Sequence, residues 1–259
     1  MSFREALLRI HWIFCTQLGI NLIKAIGSIR GIIRYIRDFS RFRSSYSGKL
    51  EFVPCIHDWN EEGGATKGEY FWQDLYVAQK IFLAKPLVHV DIGSRIDGFV
   101  AHVASFREIQ VFDIRPMTST IPGVLFKQAD LMDPAGVSDF CDSLSCLHTL
   151  EHFGLGRYGD SINPKGYESG FKNMVRILRS GGLFYLAVPI GEERIEFNAQ
   201  HVFSPLTILT LAEINQLTFL EFSLFTNDKG LVEKEAKREV LAELVNIRYG
   251  LGIFIFGKN

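Results

Sequence analysis

From residue 87 onward, short apolar runs alternate with helix-length segments, and the first three runs lead into an acidic residue. The first is Leu87-Val88-His89-Val90-Asp91 and the second is Ile109-Gln110-Val111-Phe112-Asp113. The third, Val124-Leu125-Phe126-Lys127-Gln128, runs into Ala129-Asp130, and Asp142 to Leu147 forms a fourth. Residues 97–106 read as a helix between the first two. Residues 167–179 read as another, with Phe171, Met174, Val175 and Leu178 on one side. Gly181-Gly182 stops it ahead of a fifth strand, Leu183 to Pro189. Strands separated by helices imply a parallel sheet with helices on both faces. Near-continuous apolar strands fit a sheet covered on both sides. Past residue 200 the pattern predicts a helix near 205–216, a strand at 217–226, a charged helix near 231–246 and a last strand at 248–256. The expected fold class is α/β: a doubly wound, seven-stranded, mostly parallel sheet.

The first 46 residues do not share this pattern. They hold eight basic residues and two acidic ones, a charge of +6 in a chain whose net charge is -1. The remainder therefore carries -7, an acidic body with a basic arm. Arg30, Arg34, Arg37 and Arg41 recur at helical spacing, beside a stripe of Ile29, Ile32, Ile33 and Ile36, with Trp12 and Phe14 upstream. A basic amphipathic helix with aromatics suits an anionic membrane interface. The alternative is a helix packed on its own domain or on a second subunit of a homo-oligomer. The longest uncharged stretches, 10–23 and 197–212, fall short of the roughly 18 residues a membrane span needs. Ala25-Ile26-Gly27 has the look of a signal cleavage site, but Glu5, His11, Gln17, Asn21 and Lys24 argue against export. The expected organisation is a helical arm (1–46), a connector with a lid helix (47–84) and one larger domain (85–259).

Composition excludes other classes. Hydrophobic residues at 47% and charged residues at 22% rule out wholesale disorder. A net charge near zero argues against coating nucleic acid through charge. The four cysteines, at 15, 55, 141 and 146, include no C-x-x-C pair, which points to a reduced cytosolic compartment.

In an open parallel sheet, ligands sit beyond the carboxyl ends of the strands. Here those ends carry Asp91, Asp113, Asp130 and the segment 146–152. In the turn Asp91-Ile92-Gly93-Ser94-Arg95-Ile96-Asp97-Gly98, Gly93 lets backbone approach a ligand closely. Asp113 follows Asp91 by 22 residues, the position of an acid that holds ribose hydroxyls. No Gly-Lys-Ser/Thr follows the turn, so a phosphate-cradling P-loop is absent.

These segments together resemble a class I S-adenosylmethionine-dependent methyltransferase. The Asp-x-Gly turn, Asp113, Ala129-Asp130, Leu147-His148-Thr149-Leu150-Glu151-His152 and Arg176-Ile177-Leu178-Arg179-Ser180-Gly181-Gly182-Leu183 fall in that superfamily's order. His89-Val90-Asp91-Ile92-Gly93-Ser94-Arg95, with Phe153-Gly154-Leu155-Gly156-Arg157-Tyr158-Gly159-Asp160, looks closer still to a methyltransferase-like family known only as a domain of unknown function. The resemblance implies S-adenosyl-L-methionine as cofactor, with Gly93 and Ser94 lining its methionine end and Asp91, Arg95 and Leu147 also among the cofactor-binding residues. Asp113 would hold the ribose, and Asp130 the adenine amino group with Leu131 against the ring. Arg95 and Asp97 stand where the superfamily usually has glycine. Arg95 would either pair with the cofactor carboxylate or crowd the pocket.

The implied reaction is methyl transfer to an oxygen acceptor, expected to be a sugar of a cell-surface polysaccharide or lipid-linked glycan. Such an acceptor needs a base for its proton. The candidates are His152 and His201 first, then Glu151 and His148. The implied location is cytoplasmic, with peripheral contact on the inner face of the membrane. Two other readings stay open. His148-x-x-Glu151-His152 matches the H-x-x-E-H motif of inverted zinc hydrolases. That chemistry needs a sustained helix, whereas Gly154, Gly156 and Gly159 follow at once, so no metal is expected. The third reading is a catalytically degenerate binding protein.

Overall fold

A computed structural model describes residues 7, 10–57, 63–64, 66, 68–134 and 136–259. Of the arm's charged residues, Arg4, Glu5 and Arg9 lie outside the described residues, as do positions 58–62, 65 and 67 of the connector. The chain divides into two compact units, 1–65 and 66–259, so the predicted lid helix falls in the second.

In the first unit a π-helical turn, Ile13–Gln17, precedes helix α1, Leu22–Ser45. Gly31 is buried where residue 56 crosses α1, leaving no room for a β-carbon beside the Ile56 carbonyl. Tyr35 and Phe39 pack edge-on against Phe52 at 4.9 and 5.5 Å. One face of α1 is thus covered by its own trailing segment.

The second unit opens with helix α2, Glu69–Ala84, then β1, His89–Ile92. A π-helical turn, Ile96–Val100, leads into the short α3, Ala101–Ala104. The predicted helix over 97–106 is therefore split, because Gly98 adopts a non-helical φ of -122° and ψ of -108°. Strands β2 (Ile109–Asp113), β3 (Val124–Gln128) and β4 (Cys141–Leu147) follow, then α4 (Gly166–Ile177) and β5 (Leu178–Ile190). A small hairpin that the sequence reading missed, β6 (Arg194–Glu196) with β7 (Gln200–Val202), precedes α5 (Pro205–Ile214). Ser204 caps α5 through Leu206 N–H, with Pro205 at the first helical position.

The predicted charged helix over 231–246 is corrected. Residues Gly230–Lys234 form strand β9, hairpinned to β8 (Leu217–Thr226), and only Arg238–Ala242 form a helix, α6. A tight turn at Thr226–Gly230, where Gly230 has φ +68°, sends the chain back along β8. Leu231 then packs on the core, while Glu233 accepts the Tyr76 hydroxyl at 3.1 Å. Charge on an outermost strand also guards its open edge. The last strand, β10, is Gly250–Lys258.

The sheet has eight strands, one more than expected, in the order β3-β2-β1-β4-β5-β10-β8-β9. Strands β1 to β5 pair in parallel; β10 runs antiparallel to both β5 and β8, and β9 antiparallel to β8. The mostly parallel α/β class holds. Strand alternation sorts side chains to two cores. Phe184, Leu186, Val188, Phe254 and Phe256 face α4 and α5, with Phe171, Met174 and Ile208. Tyr185, Ala187, Ile253 and Ile255 face α2 and α3, with Val77, Ile81, Phe99 and Val103.

Phe171 is fully buried, its ring 5.6 Å from that of Phe184. Phe171→Ala should cost about 3–5 kcal/mol of stability, the range for such truncations. Chemical denaturation that shows a loss under about 1 kcal/mol would mean the site refills.

Candidate functional site

The ends of β1, β2, β3 and β4 open onto one crevice. It encloses about 510 Å³ of non-protein space, part of it open to solvent, and its walls include Gly93, Asp113, Asp130, Leu131, His148 and His152.

The β1 turn is fastened from below. Asp91 is fully buried and accepts from Ser94 N–H at 3.0 Å, Ser94 Oγ at 2.7 Å and Ser145 Oγ at 2.5 Å. Burial pushes its carboxyl up to about 7 against the pull of those bonds. Behind it, His89 touches Ser145 Oγ through Nε2 at 3.2 Å and Ser143 Oγ through Nδ1 at 2.8 Å. Burial, helped by the charge of Arg107, drives that imidazole down to about 3 and keeps it neutral. Asp91 and Ser94 therefore shape the turn from behind; neither side chain lines the crevice. Gly93 does line it, at φ +67°, and a β-carbon there would collide with Thr149. Backbone thus faces the crevice where any larger residue would fill it.

Arg95 does not plug the opening. Its guanidinium forms a two-point pair with Asp97, at 3.1 and 2.8 Å, and stands over the Tyr70 ring at 5.4 Å. Leu147 is buried in the core on the α2 side, away from the crevice wall.

Asp113 ends β2 on the crevice wall, and Arg115 grips it. Arg115 donates to one carboxylate oxygen from Nε at 3.0 Å and to the other from Nη2 at 2.5 Å. Its guanidinium also lies 4.7 Å from the Tyr158 ring centre. Asp130 accepts from Met132 N–H at 2.8 Å, and Leu131 is buried beside it.

Past β4 the chain makes one 3₁₀ turn, Leu150–His152, in place of the sustained helix a zinc-hydrolase motif needs. Among the described residues no group of three or more His, Cys, Asp or Glu side chains is arranged to hold a metal. His148, at φ +52°, gives its Nδ1 to Glu151 Oε1 at 2.8 Å. Its Nε2 is buried without a hydrogen bond; the nearest carboxylate, Glu69 of α2, stands 3.5 Å away. Oε2 of the fully buried Glu151 is likewise unpartnered. Burial alone would lower the His148 pKa, but the hydrogen bond and charge of Glu151, with Glu69 and Asp74, raise it overall. The Tyr70 ring lies tilted against His148 at 4.6 Å, and Tyr249 donates to Glu69 at 2.9 Å.

The two histidines favoured from sequence have other surroundings. His152 uses Nδ1 on the Ala199 carbonyl at 2.8 Å, and burial lowers its pKa. His201 lies outside the crevice wall, stacked on Phe203 at 5.5 Å, and burial lowers it too. Its Nε2 is buried and unpartnered.

Sequence reasoning missed Arg115, Thr149, Tyr158 and Asp160 as crevice residues. The signal lay in Phe153–Asp160 and its glycines. Asp160 ties that loop, accepting from the N–H groups of Gly154 at 2.9 Å, Gly156 at 3.0 Å and Tyr158 at 3.2 Å. Gly154, at φ +79°, lies too close to the Asn163 carbonyl for a side chain. The loop so held sets Tyr158 against Arg115 and His152.

This topology and crevice define a class I methyltransferase fold, and solved structures agree. The 4+2 cyclase SpnF superposes with a TM-score of 0.53 at 12% identity, over 77% of this chain and 86% of that one. The 1,6-didemethyltoxoflavin-N1-methyltransferase of Burkholderia thailandensis superposes at 0.50 and 14% identity, over 88% and 90%. Within the chain, residues 113–228 match the family described as "Caenorhabditis protein of unknown function, DUF268". No curated protein matches the sequence.

Asp160→Ala should loosen the 153–160 loop while the sheet stays folded. Hydrogen exchange would show faster exchange at Gly154, Gly156 and Tyr158 alone; unchanged protection there would deny Asp160 this role.

Proposed function

We propose that the protein transfers the methyl group of S-adenosylmethionine to an acceptor hydroxyl, with His148 receiving the hydroxyl proton. The observation that carries this reading is the unpartnered buried Nε2 of His148 on the crevice wall, together with the likewise unpartnered Oε2 of Glu151, the residue that holds His148 by Nδ1. Buried polar atoms are ordinarily satisfied, so such a pair marks a place where a ligand completes the bonding.

The crevice suits the cofactor. Gly93 presents backbone, Asp113 stands where ribose hydroxyls would bond, and Asp130 with Leu131 closes the far end. Ribose would take the Asp113 oxygens that Arg115 now occupies, leaving that guanidinium on Tyr158. When bound, S-adenosylmethionine supplies a methyl carbon already activated by a positive sulphur. The chain's own task is then mainly alignment. Glu151 holds His148 by Nδ1–H, which leaves Nε2 as the basic nitrogen. The acceptor hydroxyl takes the place opposite Nε2 where Glu69 now stands, and the imidazolium formed is stabilised by Glu151 on Nδ1.

The acceptor we favour is a sugar hydroxyl of a polysaccharide or lipid-linked glycan. Tyr70, Tyr249 and Glu69 beside His148 offer both ring faces and hydrogen-bonding groups to such a molecule. In this reading the enzyme works at the cytoplasmic face of a membrane.

Calorimetry with S-adenosylhomocysteine should show binding, and Asp113→Ala should weaken it about 10- to 100-fold, the worth of one charge-assisted hydrogen bond. No binding by the parent protein would favour a degenerate scaffold instead. With an acceptor in hand, activity should rise with pH above the ordinary imidazole value of 6.5, since His148 must lose its proton first. Glu151→Gln should move that limb to lower pH and reduce the rate. A limb that stays in place would remove the His148–Glu151 pair from the mechanism.

A further inference from the structure

We propose that helix α1 docks the protein on an anionic lipid surface, an interaction separate from the crevice and independent of what the crevice catalyses. At about 100° per residue, three sectors share the circumference of α1. Ser28, Gly31, Tyr35 and Phe39 point toward the trailing segment, which covers them; Ser28 meets His57 at 3.3 Å, and Val53 N–H donates to the Tyr35 hydroxyl at 2.8 Å.

The other two sectors face outward and adjoin. Ile26, Ile29, Ile33 and Ile36 fall within about 80° of one another. They are 70%, 61%, 65% and 50% exposed. Four large aliphatic side chains left so open in one sector make an apolar stripe of the kind that marks an interaction surface. Arg30, Arg34, Arg37 and Arg41 fill the next sector of about 60°. Within its own length α1 has six basic residues and one acid, Asp38, which both Arg34 and Arg37 reach, at 3.4 and 3.1 Å. Upstream, Trp12 and Phe14 are 53% and 43% exposed.

Charge decides between a lipid surface and a second copy of the chain. Two copies meeting through this face would bring their arginine rows together. A leaflet of anionic lipid meets the same row with opposite charge, while the isoleucines sink below the headgroups and the long arginine side chains reach back up to them. No helix among the described residues is long and apolar enough to cross a membrane, so the attachment is lateral.

Vesicle flotation of the full chain tests this. With vesicles of phosphatidylcholine containing about one-third phosphatidylglycerol, the chain should float at low salt and be released at high salt, as screening requires. It should not float with phosphatidylcholine alone. Ile29→Glu with Ile33→Glu should abolish flotation. Arg30→Gln and Arg41→Gln should each weaken it about fivefold, the effect of one basic residue near such a surface. Circular dichroism matching the parent would show that these exposed substitutions leave the fold intact. Three outcomes overturn the proposal: no flotation at low salt, flotation that ignores lipid charge and the arginine changes, or a dimer by light scattering that the isoleucine changes dissolve.

Discussion

A carboxylate buried at the end of β1 governs the geometry of the crevice. Asp91 has no solvent, and its two oxygens hold three donors, all from Ser94 and Ser145. Those bonds join β1, β4 and the turn between β1 and α3, and they hold Gly93 with its backbone toward the opening. Left without them, a buried carboxylate would cost several kcal/mol and would pull the turn toward water. Burial that lifts Asp91 to about 7 and lowers His89 to about 3 shows how dry this layer is. A dry floor beneath a polar rim lets the rim's charges act strongly on a ligand.

On that floor the rim carries two charge systems. Asp113 is matched by Arg115, and the pair is covered by Tyr158. Across the opening, His148 lies between Glu151 and Glu69. The first is self-satisfied and exchangeable, which fits a place where ribose competes with an internal partner. The second is left incomplete, with atoms in reserve on both His148 and Glu151. In the proposed reaction, recognition would fall toward β2 and β3 and proton handling toward β4.

Several departures from the sequence reading share one cause. His152 and His201 stood out in the sequence, yet His152 uses Nδ1 on the Ala199 carbonyl and the His201 ring stacks on Phe203. His148 gained its place from a left-handed backbone at the strand end, which turns it toward α2. Nothing in the one-dimensional order of His148, Glu151 and His152 says which imidazole the carboxylate will hold. Nor does it say that Glu69, far back in the chain, arrives at the same spot. The 231–246 segment went astray similarly. Its charges suited a helix face, but pairing with β8 and the contact of Glu233 with Tyr76 decided for a strand.

The amino-acid order by itself determined the parallel α/β class, the acids at the strand ends and the basic arm, because each rests on local periodicity or on residues a fixed step apart. The eight-stranded edge, the outward turn of Arg95 onto Asp97, the grip of Arg115 on Asp113 and the pairing of His148 with Glu151 were decided only in three dimensions. Each of those depends on which polar group finds a partner once water is excluded, and burial is a property of the packed chain, not of any segment of it.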